Sequence, residues 1–357
     1  MLSVSDIAAT DLRDDAAHPL TTLAELVPAN GVAEALDAAR MLGEAVGPGA
    51  RYADHWAALS TLAARDLALA RVCEPHLDAL NILAESRLPR SVVVGAGERT
   101  WGVFAAEGGD EPLAAGRSDA GWVLDGVKPW CSLAAELDAA LVTARVVGAD
   151  GSDERMLFSV NLRQPGVETD ASTWHARGLS EIASGPVRFR RVSAELVDTG
   201  CWYLERPGFH WGAIGVAACW YGGAVGVARR VHAGLAERPE PHGLAHLGAI
   251  DTALQSARRA LAEAAAVADG VSVSAGPGFA PDPSTPRVTA KRVRATVAAA
   301  CDEILTRAGR ALGPAPLAFD AEHPKRVSDL TLYIRQHHAE RDLASLGSAL
   351  VDGSAPW

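Results

Sequence analysis

The chain has 357 residues, 48% of them apolar and 22% charged, a balance that excludes wholesale disorder and fibrous repeats and supplies more than one core. A total of 33 basic against 44 acidic residues gives a formal net charge of -11 with no Lys/Arg-rich stripe, so nucleic acid is not an expected partner. The five cysteines (Cys73, Cys131, Cys201, Cys219, Cys301) are odd in number, far apart and form no C-x-x-C, which argues against a disulfide framework or zinc site and for a reducing cytoplasm.

The first residues carry acids where a secretory signal needs a basic start, and the composition suggests no membrane span, which needs about 18 uninterrupted apolar residues. Residues 1–95 read as an N-terminal helical domain. The stretch 23–42 is rich in Ala and Leu and is broken by Pro28 and Gly31. Between 52 and 83, Leu59, Leu62, Leu67, Leu69, Val72 and Leu77 recur at helical spacing. Pro75 lacks the N–H for the i to i−4 bond, which predicts a kink or two helices there. From 90 to about 197 the rhythm becomes that of a β-barrel or sandwich, the central domain being set at 96–200. Short Val-, Phe- and Trp-rich runs at 91–94, 101–104, 121–124, 140–147, 156–160 and 186–192 alternate with glycine turns, and Asp125-Gly126 reads as a hairpin turn. Residues 201–357 read as a C-terminal four-helix bundle, with helices at 214–235, 247–271, 287–310 and 327–351 and a Pro/Gly/Ser loop at 271–286. In the third helix Arg287, Lys291 and Arg294 lie opposite Val293 and Val297, one solvated and one buried stripe. Gly222, Gly223 and Gly226 suit close helix packing. His242 and His246 stand at i, i+4 without a third ligand, so no metal is expected.

Three ordered blocks sharpen this outline. They are Trp101-Gly102-Val103-Phe104-Ala105-Ala106-Glu107, then Leu124-Asp125-Gly126-Val127-Lys128-Pro129-Trp130-Cys131-Ser132, then the stretch from Trp174 to Val192 with Gly178, Ser184, Val187 and Phe189. Together they resemble the acyl-CoA dehydrogenase family over nearly the whole chain. That resemblance implies an α+β fold of N-terminal helices, central barrel and C-terminal bundle, with FAD as cofactor, or FMN in the family's monooxygenase branch. Residues i and i+2 of a strand share a face, so Trp130 would cover the flavin ring while the Ser132 hydroxyl reaches its N5. The backbone of Phe104, Ala105 and Ala106 would face the pyrimidine edge. The resemblance also gives Arg238 the task of holding the pyrophosphate of a partner subunit's flavin, and leaves Gly309 as the one glycine kept from the family's Gly-Gly-x-Gly segment. It implies a homodimer or homotetramer.

The family's catalytic glutamate is missing. Its usual place, counted on from Asp329, falls on His337 beside His338, and the minority place on an earlier helix falls on Val216. Glu340 would stand on the same helical face as His337. A histidine here resembles the monooxygenase branch, which takes reduced flavin from a partner reductase. An imidazole near its working pH exchanges protons there, and His76 stands near that branch's second active-site histidine. His210 is a third candidate base. The resemblance therefore implies a flavin-dependent oxidoreductase acting on a Cα–Cβ bond of an acyl thioester. The alternatives are a reduced-flavin monooxygenase acting on another small molecule and a non-catalytic subunit paired with an active homologue.

Overall fold

The helical periodicity of the first part resolves, in the computed structural model, into α1 (Val32–Val46), α2 (Tyr52–Arg65) and α3 (Leu67–Glu85). The residues described are 24, 31–46, 50–88, 96–147, 153–271 and 285–352; Leu23, Pro28, the expected strand at 91–94 and most of the loop at 271–286 lie outside them. Pro75 does not divide the helix. The division comes at Asp66, whose carboxylate accepts from the amide of Ala68 at 2.8 Å and caps α3. The bond lost at Pro75 is outweighed by the buried row Val72, Cys73, Leu77 and Ala79 around it. α1 lies so close to α3 that a Cβ at Gly43 would come within 2.7 Å of His76 Nε2.

The strands are β1 (Trp101–Phe104), β2 (Ala114–Ser118), β3 (Gly121–Lys128), β4 (Ala139–Val147), β5 (Asp153–Asn161), β6 (Val167–Thr169) and β7 (Val187–Asp198). The ladders β4-β2-β3-β7-β5 close through β5–β4 into a small barrel, with β1 parallel on β4 and β6 on β7. Alternation sorts the side chains. Phe104, Leu124, Val142, Phe158, Val160 and Phe189 fill the interior. Trp101, Leu141 and Leu157 face outward onto Ala79, Ile82 and Leu83 of α3. Truncating the fully buried Phe158 to Ala costs about 3–5 kcal/mol. Asp125-Gly126 is a bulge inside β3 rather than a hairpin turn. The register shifts between Leu124 and Gly126, Gly126 has φ +122°, and the turn falls at Asp119-Ala120 between β2 and β3. Contact with the Pro112 carbonyl, 2.7 Å from a Cβ built at Gly126, leaves room only for glycine.

Beyond the barrel come α4 (Trp202–Glu205), α5 (Pro207–Glu237), α6 (Pro241–Ala268), α7 (Pro286–Leu312), α8 (Ala315–Phe319), α9 (His323–Tyr333) and α10 (Glu340–Val351). Contrary to the expectation that no run is long enough for a membrane, α5 meets that test by length and composition. Some 83% of its apolar window is buried within the fold, as expected of a core helix. Gly222 allows α2 and α5 to touch, since a Cβ there would sit 2.2 Å from the carbonyl oxygen of Ser60.

The fourth bundle helix, expected over 327–351, is interrupted. A short 3-10 turn, Ile334–Gln336, follows α9, and Ala339 has φ +44° before α10 begins. The cause is tertiary. Arg294 donates through Nη2 to the Gln336 carbonyl at 3.0 Å, taking the acceptor that a continuous helix would give to residue 340. Arg294 is therefore not part of a solvated stripe: its guanidinium stacks 4.6 Å from the Trp220 ring and also donates to the Ala213 carbonyl at 2.8 Å.

Candidate active site

The chain leaves β3 at Lys128, which is 2% exposed and donates through Nζ to Glu107 Oε1 at 2.6 Å and Thr143 Oγ1 at 2.8 Å. This tie fixes the segment Phe104, Ala105, Ala106 against β3 and β4. Trp130 and Ser132 then follow in a turn, not on a strand, which corrects the expectation that they share one strand face. Trp130 (φ +59°) and Leu133 (φ +57°) are left-handed, and this abolishes the two-residue alternation. Trp130 is 65% exposed, with its ring edge-on to Trp174 at 6.5 Å. Ser132 is buried, lies 2.7 Å from Ser184 Oγ, and accepts from Arg71 Nη2 at 2.8 Å. The space enclosed by Arg71, Val72, Phe104, Ser132 and Leu133 is about 20 Å³, room for about one water.

Arg71 begins a stripe along α3. Arg71, Glu74, Asp78 and Glu85 recur at helical spacing on the side facing α5. Two glycines of α5 make room for it: a Cβ at Gly212 would meet Asp78 Oδ1 at 2.7 Å, and one at Gly208 would meet Glu85 Oε1 at 2.0 Å. Burial pushes the Glu74 carboxyl up to about 7 against the pull of Arg71, whose Nη1 is 3.7 Å away, and also raises that of Asp78. Arg206, 4% exposed, pairs with Glu85 at 3.1 Å and with Asp78 at 3.8 Å. Beside that pair a cavity of about 860 Å³ opens among Tyr52, Asp198, Trp202 and Trp211.

At the other end Arg71 lies 5.5 Å over the ring of Tyr333, which meets Trp220 edge-on at 6.2 Å. Trp220 carries Arg294, whose bond to Gln336 shapes the break that holds His337. Burial lowers the imidazole pKa of His337, which favours the neutral ring. Several buried polar atoms of this cluster have no hydrogen-bond partner: Arg71 Nη1, Trp220 Nε1, Tyr333 Oη beside the Cys219 thiol, and His337 Nε2. Unpaired buried groups are costly, and those of Arg71, Tyr333 and Trp220 lie along one chain of ring contacts. The block around Gly178 braces it. The Leu179 amide donates to Asp329 Oδ1 at 2.6 Å, and a Cβ at Gly178 would lie 2.1 Å from the Ser328 carbonyl, which docks the barrel on α9.

The other expected residues lie elsewhere. His76 is fully buried on the α1 side of α3, away from the stripe; neither ring nitrogen has a partner, and burial lowers its pKa to about 4. The structure does not bring it to His337. His338 is exposed, 3.6 Å from Asp342. His210 is half-buried, its ring 5.5 Å from Phe209. Glu340 is exposed at the start of α10, past the break, so it does not share a helical face with His337. Val216 is a partly buried residue packed on the core. Arg238 is exposed at the end of α5, and Gly309 is exposed on α7 with open space around it. Among the described residues no His, Cys, Asp and Glu side chains gather as a metal site.

A flavin's polar edge would find donors and acceptors in Ser132, Arg71 and the Phe104–Ala106 backbone, so the chemistry fits. The space requires Arg71 to leave Ser132. Sequence reasoning passed over Arg71, Glu74, Tyr333 and Arg294. The signal available was a charged row at 3 and 4 spacing inside an Ala/Leu-rich helix.

No family model and no curated protein matches the sequence. Solved structures match over almost the whole chain. FMN-bound TdsC, a dibenzothiophene monooxygenase from Paenibacillus sp. A11-2, has 17% identity and a TM-score of 0.79 over 95% of this chain and 98% of its own. Butyryl-CoA dehydrogenase from Megasphaera elsdenii has 16% identity and a TM-score of 0.76, covering 93% and 97%. The methanesulfinate monooxygenase MsuC from Pseudomonas fluorescens has 19% identity and a TM-score of 0.75, covering 100% and 99%. The chain thus has the fold shared by an acyl-CoA dehydrogenase and by monooxygenases.

Proposed function

We propose that this protein is a flavin-dependent oxidoreductase and, of the reactions its fold serves, a monooxygenase that uses reduced flavin delivered by a separate reductase. The observation that carries the choice is the α3 stripe. An acyl chain needs an apolar slot, whereas the α3 side facing α5 presents Arg71, Glu74 and Asp78, and the place on α5 for an alternative glutamate is Val216. The charged α3 stripe suits a compact, heteroatom-bearing substrate better than a thioester tail.

Ser132, Trp130 and the Phe104–Ala106 backbone would hold the ring system of FMN or FAD. When bound, the reduced flavin supplies two electrons to dioxygen, so that one oxygen atom enters the substrate and the other leaves as water. His337, whose burial favours the neutral ring and whose Nε2 makes no hydrogen bond, would give or take a proton at that atom. Glu74, raised by burial to about 7, would hold a proton up to about neutrality beside Arg71. The resemblance in sequence further implies that the protein works as a homo-oligomer.

The test is the absorbance of the purified protein before and after an anaerobic series of acyl-CoA thioesters. A nearly colourless protein, with added FAD unbleached by any thioester, is expected. A yellow protein bleached by a thioester overturns the monooxygenase reading in favour of dehydrogenation.

A further inference from the structure

We propose that Arg294 is a positioning residue for His337. Its guanidinium holds open the break between α9 and α10 on which the imidazole sits, and without it the two segments wind into one helix. The role rests on the reading of His337 as the residue that handles a proton. The sequence from 327 to 351 has the spacing of a single helix. Such a helix would hand the Gln336 carbonyl to the amide of Glu340 and set His337 one turn beyond Tyr333, on the same face. Instead His337 is extended, with φ −87° and ψ 115°, and Ala339 has φ +44°. An alanine in that left-handed position is strained, so the break persists only where surrounding contacts impose it.

Two contacts impose it. On the α10 side, Asp342 Oδ2 accepts from the His338 amide at 3.1 Å and starts the new helix. On the α9 side, Arg294 Nη2 donates to the Gln336 carbonyl at 3.0 Å. Its Nη1 donates to the Ala213 carbonyl at 2.8 Å, and its guanidinium carbon lies 4.6 Å from the centre of the Trp220 ring. One side chain of α7 thereby ties the break to α5. Two other residues of α7 reach the same segments without doing this. Asp302 accepts from Arg335 and Lys291 donates to Ser345, side chain to side chain in both cases, which leaves the Gln336 carbonyl to Arg294 alone. A planar fork spans two carbonyls while lying flat on an indole, whereas an ammonium is a single point and cannot. The charge of Arg294 also reaches the imidazole. Burial is the largest influence on the ring and favours its neutral form. Asp342 of α10 opposes that preference, while Arg294 of α7, and His338 and Arg335 in the same segment, add to it.

The test is NMR titration of the His337 imidazole in the full-length protein, its signal assigned by its loss in His337→Gln, together with oxygen uptake by the protein carrying photoreduced FMN. In Arg294→Met the imidazole is expected to titrate at higher pH, since a positive neighbour is gone. Oxygen uptake is expected to fall at least about tenfold, as it does in His337→Gln. Arg294→Lys keeps the charge and loses the fork, so the titration should stay near that of wild type while uptake still falls. Ala339→Gly alone is expected to leave uptake unchanged. Added to Arg294→Met it removes the strain at the left-handed position and disfavours a continuous helix, so part of the uptake should return. No recovery in that double variant reduces Arg294 to a packing residue and overturns the positioning role. A folded Arg294→Met protein with wild-type uptake and an unmoved titration, beside a slow His337→Gln, overturns it too and leaves the reading of His337 intact. Wild-type uptake in His337→Gln overturns that reading and the positioning role with it.

Discussion

Arg71 donates to the hydroxyl of Ser132 at 2.8 Å, joining the first charged residue of the α3 stripe to the turn that follows β3. The same hydroxyl is the one a flavin would use under the proposed function, and the second guanidinium nitrogen, which makes no hydrogen bond, lies 3.7 Å from Glu74. Removing the hydroxyl with Ser132→Ala strands a buried guanidinium N–H. It is expected to cost about 1–3 kcal/mol of stability and to weaken flavin binding, as measured by urea unfolding and by flavin fluorescence. Unchanged flavin affinity would separate Ser132 from the cofactor.

His337 is expected to act on protons rather than to hold the fold. Replacing it by Ala or Gln should lower the turnover of product by about 10²–10⁴-fold while leaving the unfolding midpoint nearly unchanged, since the side chain is half-buried at a helix break. Turnover equal to wild type, with oxygen uptake still coupled to product, removes it from the mechanism.

His76 is expected to matter for acid stability and not for turnover. Its pKa falls to about 4, as does that of the buried His55, in both cases chiefly through burial. A histidine with a depressed folded-state pKa adds stability above its ordinary pKa near 6.5, and that stability drains as the pH falls toward 4. Each such histidine steepens the loss by up to about 1.4 kcal/mol per pH unit. His76→Gln should flatten the fall between pH 6.5 and 4 and leave turnover intact; denaturant unfolding at several pH values reads the first effect and product formation the second.

Glu74 titrates in the opposite sense. Its folded-state pKa near 7 lies above the ordinary 4.5, so its contribution is fully present at low pH and is lost as the pH rises through 7. Glu74→Gln removes that dependence. The variant should gain about 1–3 kcal/mol relative to wild type between pH 5 and pH 8. Parallel stability curves for the two proteins would show that the carboxyl is ionised throughout.

Much of the architecture was legible because it rests on local pattern. The runs around Phe104, Val142, Phe158 and Phe189 alternate as barrel strands must, and the glycines of α5 read correctly as packing residues. What escaped the reading came from long-range contacts. The helix break at His337 depends on Arg294, 42 positions away in sequence, capturing the Gln336 carbonyl. The left-handed turn at Trp130 and Leu133 reverses the faces that period-two alternation assigns. Pro75 does not break α3, because the packing of its neighbours prevails over one missing hydrogen bond. His337 enters the proposed site by its spacing from Asp329. Arg71, Glu74 and Asp78 were not, because charges at helical spacing normally mark a solvated face, and only the neighbouring glycines of α5 show that this one is covered.

Anaerobic titration with FMN in its photoreduced and oxidised forms, followed by quenching of tryptophan fluorescence, reads the preference for reduced flavin on which the proposed function stands. Reduced FMN is expected to bind at least about tenfold more tightly than oxidised FMN, a difference of about 1.4 kcal/mol, and oxygen admitted to the complex is expected to be consumed. Equal affinity for the two forms, or no binding of either, would contradict it.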